Sequence, residues 1–232
     1  MFATDSLTYN NFSYRTAAEI NSAMGRVYGH MGLAVLTSMI VSFLVSQSPA
    51  LMAFLFTGFM KWIVMFLPLI AVFAIAYALN NNPSRPVAVG LLHGFAAIMG
   101  LSFATIFVVF KMGSIFGAFM GGAILFGVMS GYGYFTKNSL DSMGKFMFIG
   151  LIAIIIASII NIFIGSSVFA MVISALAIII FLGLTAYDTQ KIREMVSMDT
   201  SDAMEVQGAL TLYIDFVNIF LSLLQLTGSK NE

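Results

Sequence analysis

Long uncharged apolar runs, separated by single basic residues, set the rhythm of this chain. Arg26 and Lys61 enclose 34 residues without Asp, Glu, Lys or Arg, and Lys61 and Arg85 enclose 23. The next two intervals, Arg85 to Lys111 and Lys111 to Lys137, hold 25 each. A bilayer core about 30 Å thick needs about 20 apolar residues of helix, so each interval holds one span. Lys145 to Asp188 encloses 42 residues, enough for two spans, and the glycine and serines of "NIFIGSS" at 161–167 predict the turn between them. The last run, Leu210 to Leu226, is 17 residues long, short for a crossing and interrupted by Asp215. The pattern predicts seven helices at about 27–47, 60–80, 87–110, 113–136, 145–164, 168–190 and 207–227. Residues 50–59, "ALMAFLFTGF", follow Pro49 and are expected to lie in the membrane interface.

The fold class is therefore an all-α integral membrane protein with one membrane domain over 27–228, a polar tail over 1–26 and a short tail over 229–232. Composition agrees: 60% of residues are hydrophobic and 9% charged, against roughly 25% charged in soluble domains. Net charge is zero, so no footprint for nucleic acid exists. With no cysteine, thiolate catalysis and cysteine metal sites are excluded. The first 26 residues lack an apolar core, so no cleavable signal peptide is expected.

Lysine and arginine placement sets the expected orientation. With the N-terminus in the cytoplasm, the inner segments hold Arg15, Arg26, Arg85, Lys137, Lys145, Lys191 and Arg193, and the outer ones Lys61, Lys111 and Lys230. Seven spans place the C-terminus outside; a re-entrant final helix would bring it back. Glycines 90 and 94, and 113, 117, 121, 127 and 131, are expected to let helices pack closely.

Polar positions inside the spans carry the functional reading. Thr211, Asp215, Asn218, Ser222 and Gln225 recur at spacings of 4, 3, 4 and 3, which is one stripe on a helix. Lipid cannot satisfy such a stripe, so it faces protein or a water-filled cavity. Those residues are pore-lining candidates, with interhelical hydrogen bonding as the packing-only alternative. A mid-helix Asp costs roughly 2.5–3.5 kcal/mol on insertion scales and marks an ion or proton path. Asp188 ends the preceding span in "GLTAYDTQKI", either as an ordinary helix-end charge or as a partner of Asp215 on the returning antiparallel helix. Two facing carboxyls in low dielectric share a proton, closed when shared and repelling when both are charged.

Other chemistries lack their residues. Only His30 and His93 are present, too few for an intramembrane zinc hydrolase, and packing roles are expected of both. No lysine lies inside a late helix to hold retinal, and no Gly-x-Ser-x-Gly elbow occurs. No enzyme and no cofactor are expected. The segment with Glu194, Asp199, Asp202 and Glu205 lacks EF-hand spacing and reads as a solvated loop.

"GLTAYDTQKI" followed by "GALTLYIDFVNIFLSLLQLTG" resembles the C-terminal signature of the Bax-inhibitor family. "RVYGHMGLAVLTS" and "GYGYFTKNSLDSMGKFM" are similar to its bacterial branch, and the likeness spans residues 20–228. That resemblance implies a last helix wrapped by two three-helix brackets, in the bacterial inner membrane. It implies a pH-sensitive calcium leak gated by aspartates matching Asp188 and Asp215, a weak and transient cation site. For other bacterial relatives it implies modulation of a membrane-bound quality-control protease instead. Where relatives place a basic cluster with an arginine latch, this chain reads "LNNNPSRP", which leaves Arg85 as the possible latch.

Overall fold

The structure, a computed structural model, describes residues 15–198 and 201–231. Eight helices follow in order: α1 Ala17–Ser46, α2 Pro49–Phe56, α3 Met60–Leu79, α4 Arg85–Val109, α5 Met112–Phe135, α6 Asp141–Ile164, α7 Ser167–Met198 and α8 Asp202–Thr227. All but α2 are long and apolar enough to cross a membrane. The expected seven spans are present, with α2 as a short additional helix started by Ser48 and Pro49.

The ends differ from expectation in two places. Helix α1 begins at Ala17, ten residues earlier than the apolar pattern indicated. Thr16 accepts from the Glu19 backbone and the Glu19 carboxylate accepts from the Thr16 backbone, a reciprocal cap that starts a helix in polar sequence. The expected polar tail therefore divides: residues 17–26 are helix, and residues 1–14 lie outside the described residues. Helix α7 runs on to Met198, eight residues past its expected end. The predicted break between α6 and α7 is found, with Gly165 closing α6 at φ 69° in the left-handed region.

Helix α8 is the axis of the bundle. It packs against α1, α3, α4, α5 and α7, and Leu212, Tyr213 and Ile219 are fully buried. Aromatic edges fix it in place: Tyr213 meets Phe95 at 5.9 Å, and Phe216 meets Phe119 at 5.4 Å and Phe126 at 5.8 Å. Helices α1, α3 and α4 bracket one side, and α5, α6 and α7 the other. The outward surface is apolar, as in Phe73, Ile124 and Phe163, which suits lipid.

Close packing uses other glycines than expected. Gly90, Gly94, Gly113, Gly117, Gly127 and Gly131 have nothing within 4 Å of where a Cβ would stand, so they pack no neighbouring helix. Gly121 does touch α8, at Leu223. The tight crossings belong to Gly100, where a Cβ would sit 2.7 Å from the Ser38 carbonyl oxygen, and to Gly133 against the Ala186 backbone. In lipid, where apolar burial gives little drive, such contacts supply dispersion instead.

Helix α8 crosses the whole bundle, which excludes the re-entrant alternative. At its start, Glu205 meets Arg26 near the start of α1. At its end, the Lys111 N–H donates to the Ser229 carbonyl at 2.9 Å and the Asn231 N–H to the Val109 carbonyl at 2.9 Å. Phe43 of α1 meets Phe107 of α4, so α4 ends on the side where α1 ends. Residues 15 and 231 thus lie at opposite ends of the bundle.

Candidate functional site, a buried aspartate pair

Helices α7 and α8 run antiparallel in a register that sets Gly208 against Ile192, where a Cβ would stand 2.8 Å from the Ile192 Cγ2. Within that register the carboxyls of Asp188 and Asp215 come close enough to interact. Asp215 is 3% exposed, and Asp188 is partly buried. Among the described residues, no backbone, hydroxyl, amide or basic donor reaches Asp215 Oδ2. Its neighbour Asp188 can supply a hydrogen bond only if one of the two carboxyls is protonated, because two carboxylates have only acceptors.

Side chains around Asp188 fix the end of α7. Thr189, fully buried, shares a hydrogen bond of 2.9 Å with Ser130 of α5, and Ser130 shares one of 2.6 Å with Tyr28 of α1. Gln190 accepts from the Leu140 N–H at 2.8 Å and donates to the Asn138 carbonyl at 2.9 Å, satisfying the turn between α5 and α6. Arg193 donates to the Tyr134 carbonyl at 2.9 Å, and Lys191 pairs with Asp141 at 2.8 Å. Asp188 is therefore held by neighbours that tie α7 to both ends of the α5–α6 turn.

The rest of the stripe is less buried. Thr211 and Asn218 are half-buried and donate to their own helix, to the carbonyls of Gln207 at 3.2 Å and Ile214 at 2.8 Å. Ser222 is half-buried and Gln225 exposed, so the stripe leaves the interior toward the end of α8. Arg85 stands exposed at the first position of α4 and makes no ion pair with Asp188 or Asp215.

A different basic cluster closes that end. Arg26 donates from Nε to Glu205 Oε2 at 2.7 Å and from Nη2 to Oε1 at 2.6 Å, and Arg15 Nη2 reaches Oε1 at 3.3 Å. Glu205 is 2% exposed, so its expected place in a solvated loop is corrected. Asp199 lies outside the described residues, and Asp202 begins α8. The signal for Glu205 was the apolar face of α8 continued backward: Ala209 and Leu212 lie four and seven residues on, and both are fully buried. His93 Nδ1 shares a hydrogen bond of 2.8 Å with Thr37 Oγ1, as expected of a packed histidine. No group of three or more potential metal ligands occurs among the described residues.

The sequence model described as "Inhibitor of apoptosis-promoting Bax1" matches residues 20–232. The chain belongs to the Bax inhibitor family. It is 36% identical over 219 residues to "Inner membrane protein YbhL" of Escherichia coli K12, covering 92% of this chain and 94% of that protein. It is 37% identical over 218 residues to an uncharacterized protein of Borreliella burgdorferi, at 91% and 94% coverage. With an uncharacterized protein of Deinococcus radiodurans it shares 32% over 225 residues, at 94% of each. The family match and the seven apolar helices make this a multi-pass membrane protein.

Proposed function

We propose that this protein is a pH-sensitive cation leak of the bacterial inner membrane, with the Asp188–Asp215 pair as its gate and calcium as the ion the family resemblance favours. The observation that carries the reading is a carboxyl near the middle of α8, Asp215, buried beside a second carboxyl and reached by no other donor of the described residues at Oδ2. While one proton is shared, α7 and α8 are held together. With the proton gone, two unit charges 4 Å apart repel by about 4 kcal/mol at an effective dielectric of 20. That is enough to shift a two-state equilibrium roughly a thousandfold.

Asn218, Ser222 and Gln225 extend the path from the pair toward the far end of α8, and Thr211 continues it from the pair toward the helix start. Calcium takes six to eight oxygens, more than two carboxyls and the Asn218 amide supply, so occupancy is weak and water completes the shell. Such a site suits passage and not storage. No catalytic step is proposed.

The test is ion flux from purified protein in liposomes, measured against pH for wild type and for Asp188→Asn, Asp188→Ala, Asp215→Asn and Asp215→Ala. The Asn variants keep a hydrogen bond but lose a charge, and blunt the pH response; the Ala variants lose the hydrogen bond and loosen closure. Wild-type midpoints in every curve would remove the pair as the sensor. No flux above protein-free liposomes, together with co-purification of a membrane protease, would favour a non-conducting regulator of that protease.

A further inference from the structure

Helices α1 and α5 both pack on α8 but leave a slot between themselves that opens sideways at the level of the bilayer. Two cavities make it up, of about 480 Å³ and 500 Å³, joined at Val35, Phe119 and Phe216. The slot follows α1 from Gly29 to Leu44, which is about 22 Å of helix rise. Its floor is Phe216, Val217 and Phe220, on the side of α8 opposite the stripe of Asp215 and Asn218. The slot is therefore separate from the proposed ion path.

Its chemistry is that of a hydrocarbon site. The hydroxyls that border it, Ser38 and Ser42, already donate to carbonyls of their own helix, at 2.9 Å to Val35 and 3.1 Å to Met39. With both protons used, the slot offers a polar ligand no free hydroxyl donor. The slot is long and narrow, about 480 and 500 Å³ of cavity drawn out along about 22 Å of α1. A thin linear chain fits. An acyl chain of one leaflet reaches about 15 Å, half of the hydrocarbon core, and lies within the slot's length.

Charge at the mouth selects the rest of the ligand. Leu44, Phe107 and Met112 border the slot near the ends of α1 and α4 and the start of α5. Lys111 precedes Met112, and Lys230 is held beside it by the backbone bridge to Phe110. Among the described residues, this end of the bundle carries exposed Lys61, Lys111 and Lys230 and no Asp or Glu. The geometry points to a site for an anionic phospholipid, one acyl chain seated between α1 and α5 and its phosphate on Lys111 and Lys230.

Val35 and Met39 provide the test, because both line the slot within about 15 Å of helix rise from Leu44, whereas Gly94, where a Cβ meets nothing within 4 Å, does not line it. The full chain is reconstituted in vesicles of equal parts phosphatidylglycerol and phosphatidylethanolamine, extracted in mild detergent and weighed by native mass spectrometry. The expected result is one retained phosphatidylglycerol per chain in wild type and in Gly94→Leu, and its loss in Val35→Trp and Met39→Trp. Lys111→Gln, which leaves the packing untouched, lowers retention about five-fold, the worth of roughly one lysine at an anionic surface. Wild type without retained lipid, or retention in both tryptophan variants equal to wild type, overturns the site. Equal retention of both lipids, unchanged in Lys111→Gln, overturns the headgroup assignment. A two-chain mass that the tryptophan variants split makes this face an interface between copies and overturns it too.

Discussion

Removing the Arg26 guanidinium should unlock the start of α8 from the start of α1. Among the described residues, the guanidinium supplies two of the three hydrogen bonds on Glu205, at 2.7 and 2.6 Å, and its loss leaves the longer one from Arg15 at 3.3 Å. The Glu205 side chain is 3% exposed, so its charge would stay buried and poorly matched. Breaking a buried pair costs about 3–5 kcal/mol. Arg26 is itself 40% exposed, so water recovers part of this, and the expected loss for Arg26→Ala is about 2–3 kcal/mol. A double-mutant cycle with Glu205→Ala, read by reversible unfolding in mixed detergent micelles, should give a coupling of about 2 kcal/mol. The coupling should persist in 1 M salt, where the screening length falls to about 3 Å, because the bonds are shorter than that. A coupling below about 0.5 kcal/mol, the worth of an ordinary surface pair, would refute the clamp.

Gly133→Ala drives a methyl into the Ala186 backbone beside the aspartate pair, and should destabilise by about 1–3 kcal/mol. Gly131→Ala, two residues away with open space around it, should instead stabilise by about 0.5–1 kcal/mol in the same melting experiment. Asn231→Ala removes side-chain bonds to the Val108 and Phe110 carbonyls and should cost about 1 kcal/mol, with faster hydrogen exchange at the α4–α5 turn. Reporter fusions at Arg15 and Lys230 should read opposite compartments, cytoplasmic at Arg15; a matching pair of signals would contradict the crossing of α8.

The seven spans were legible because charge is excluded from lipid so strictly that Arg26, Lys61, Arg85, Lys111 and Lys137 mark the boundaries. The packing of α7 on α8 was legible too, since consecutive spans must be antiparallel and a stripe must turn inward. What stayed hidden depends on partners distant in sequence. Glu205 looks solvated until Arg26, 179 residues earlier, is known to lie against it. The extension of α1 back to Ala17 rests on the Thr16 cap, which apolar periodicity does not register. Gly133 and Gly131 are indistinguishable in a hydropathy pattern, yet one meets a backbone and the other meets nothing.

The central position of α8 has a consequence for how the chain is made. A ribosome adds about 5–20 residues per second, so Glu205 emerges roughly 9–36 s after Arg26. Through that interval Leu92, Phe95 and Val27, all buried in the finished bundle, belong to helices already in the membrane without their axis. The early helices must wait as a half-built sheath. Their unfinished inner face is open to lipid, to other nascent chains and to surveillance proteases until α8 slides in. Mutations that weaken the seat of α8 should therefore lower the amount of protein made before they change how the finished protein works.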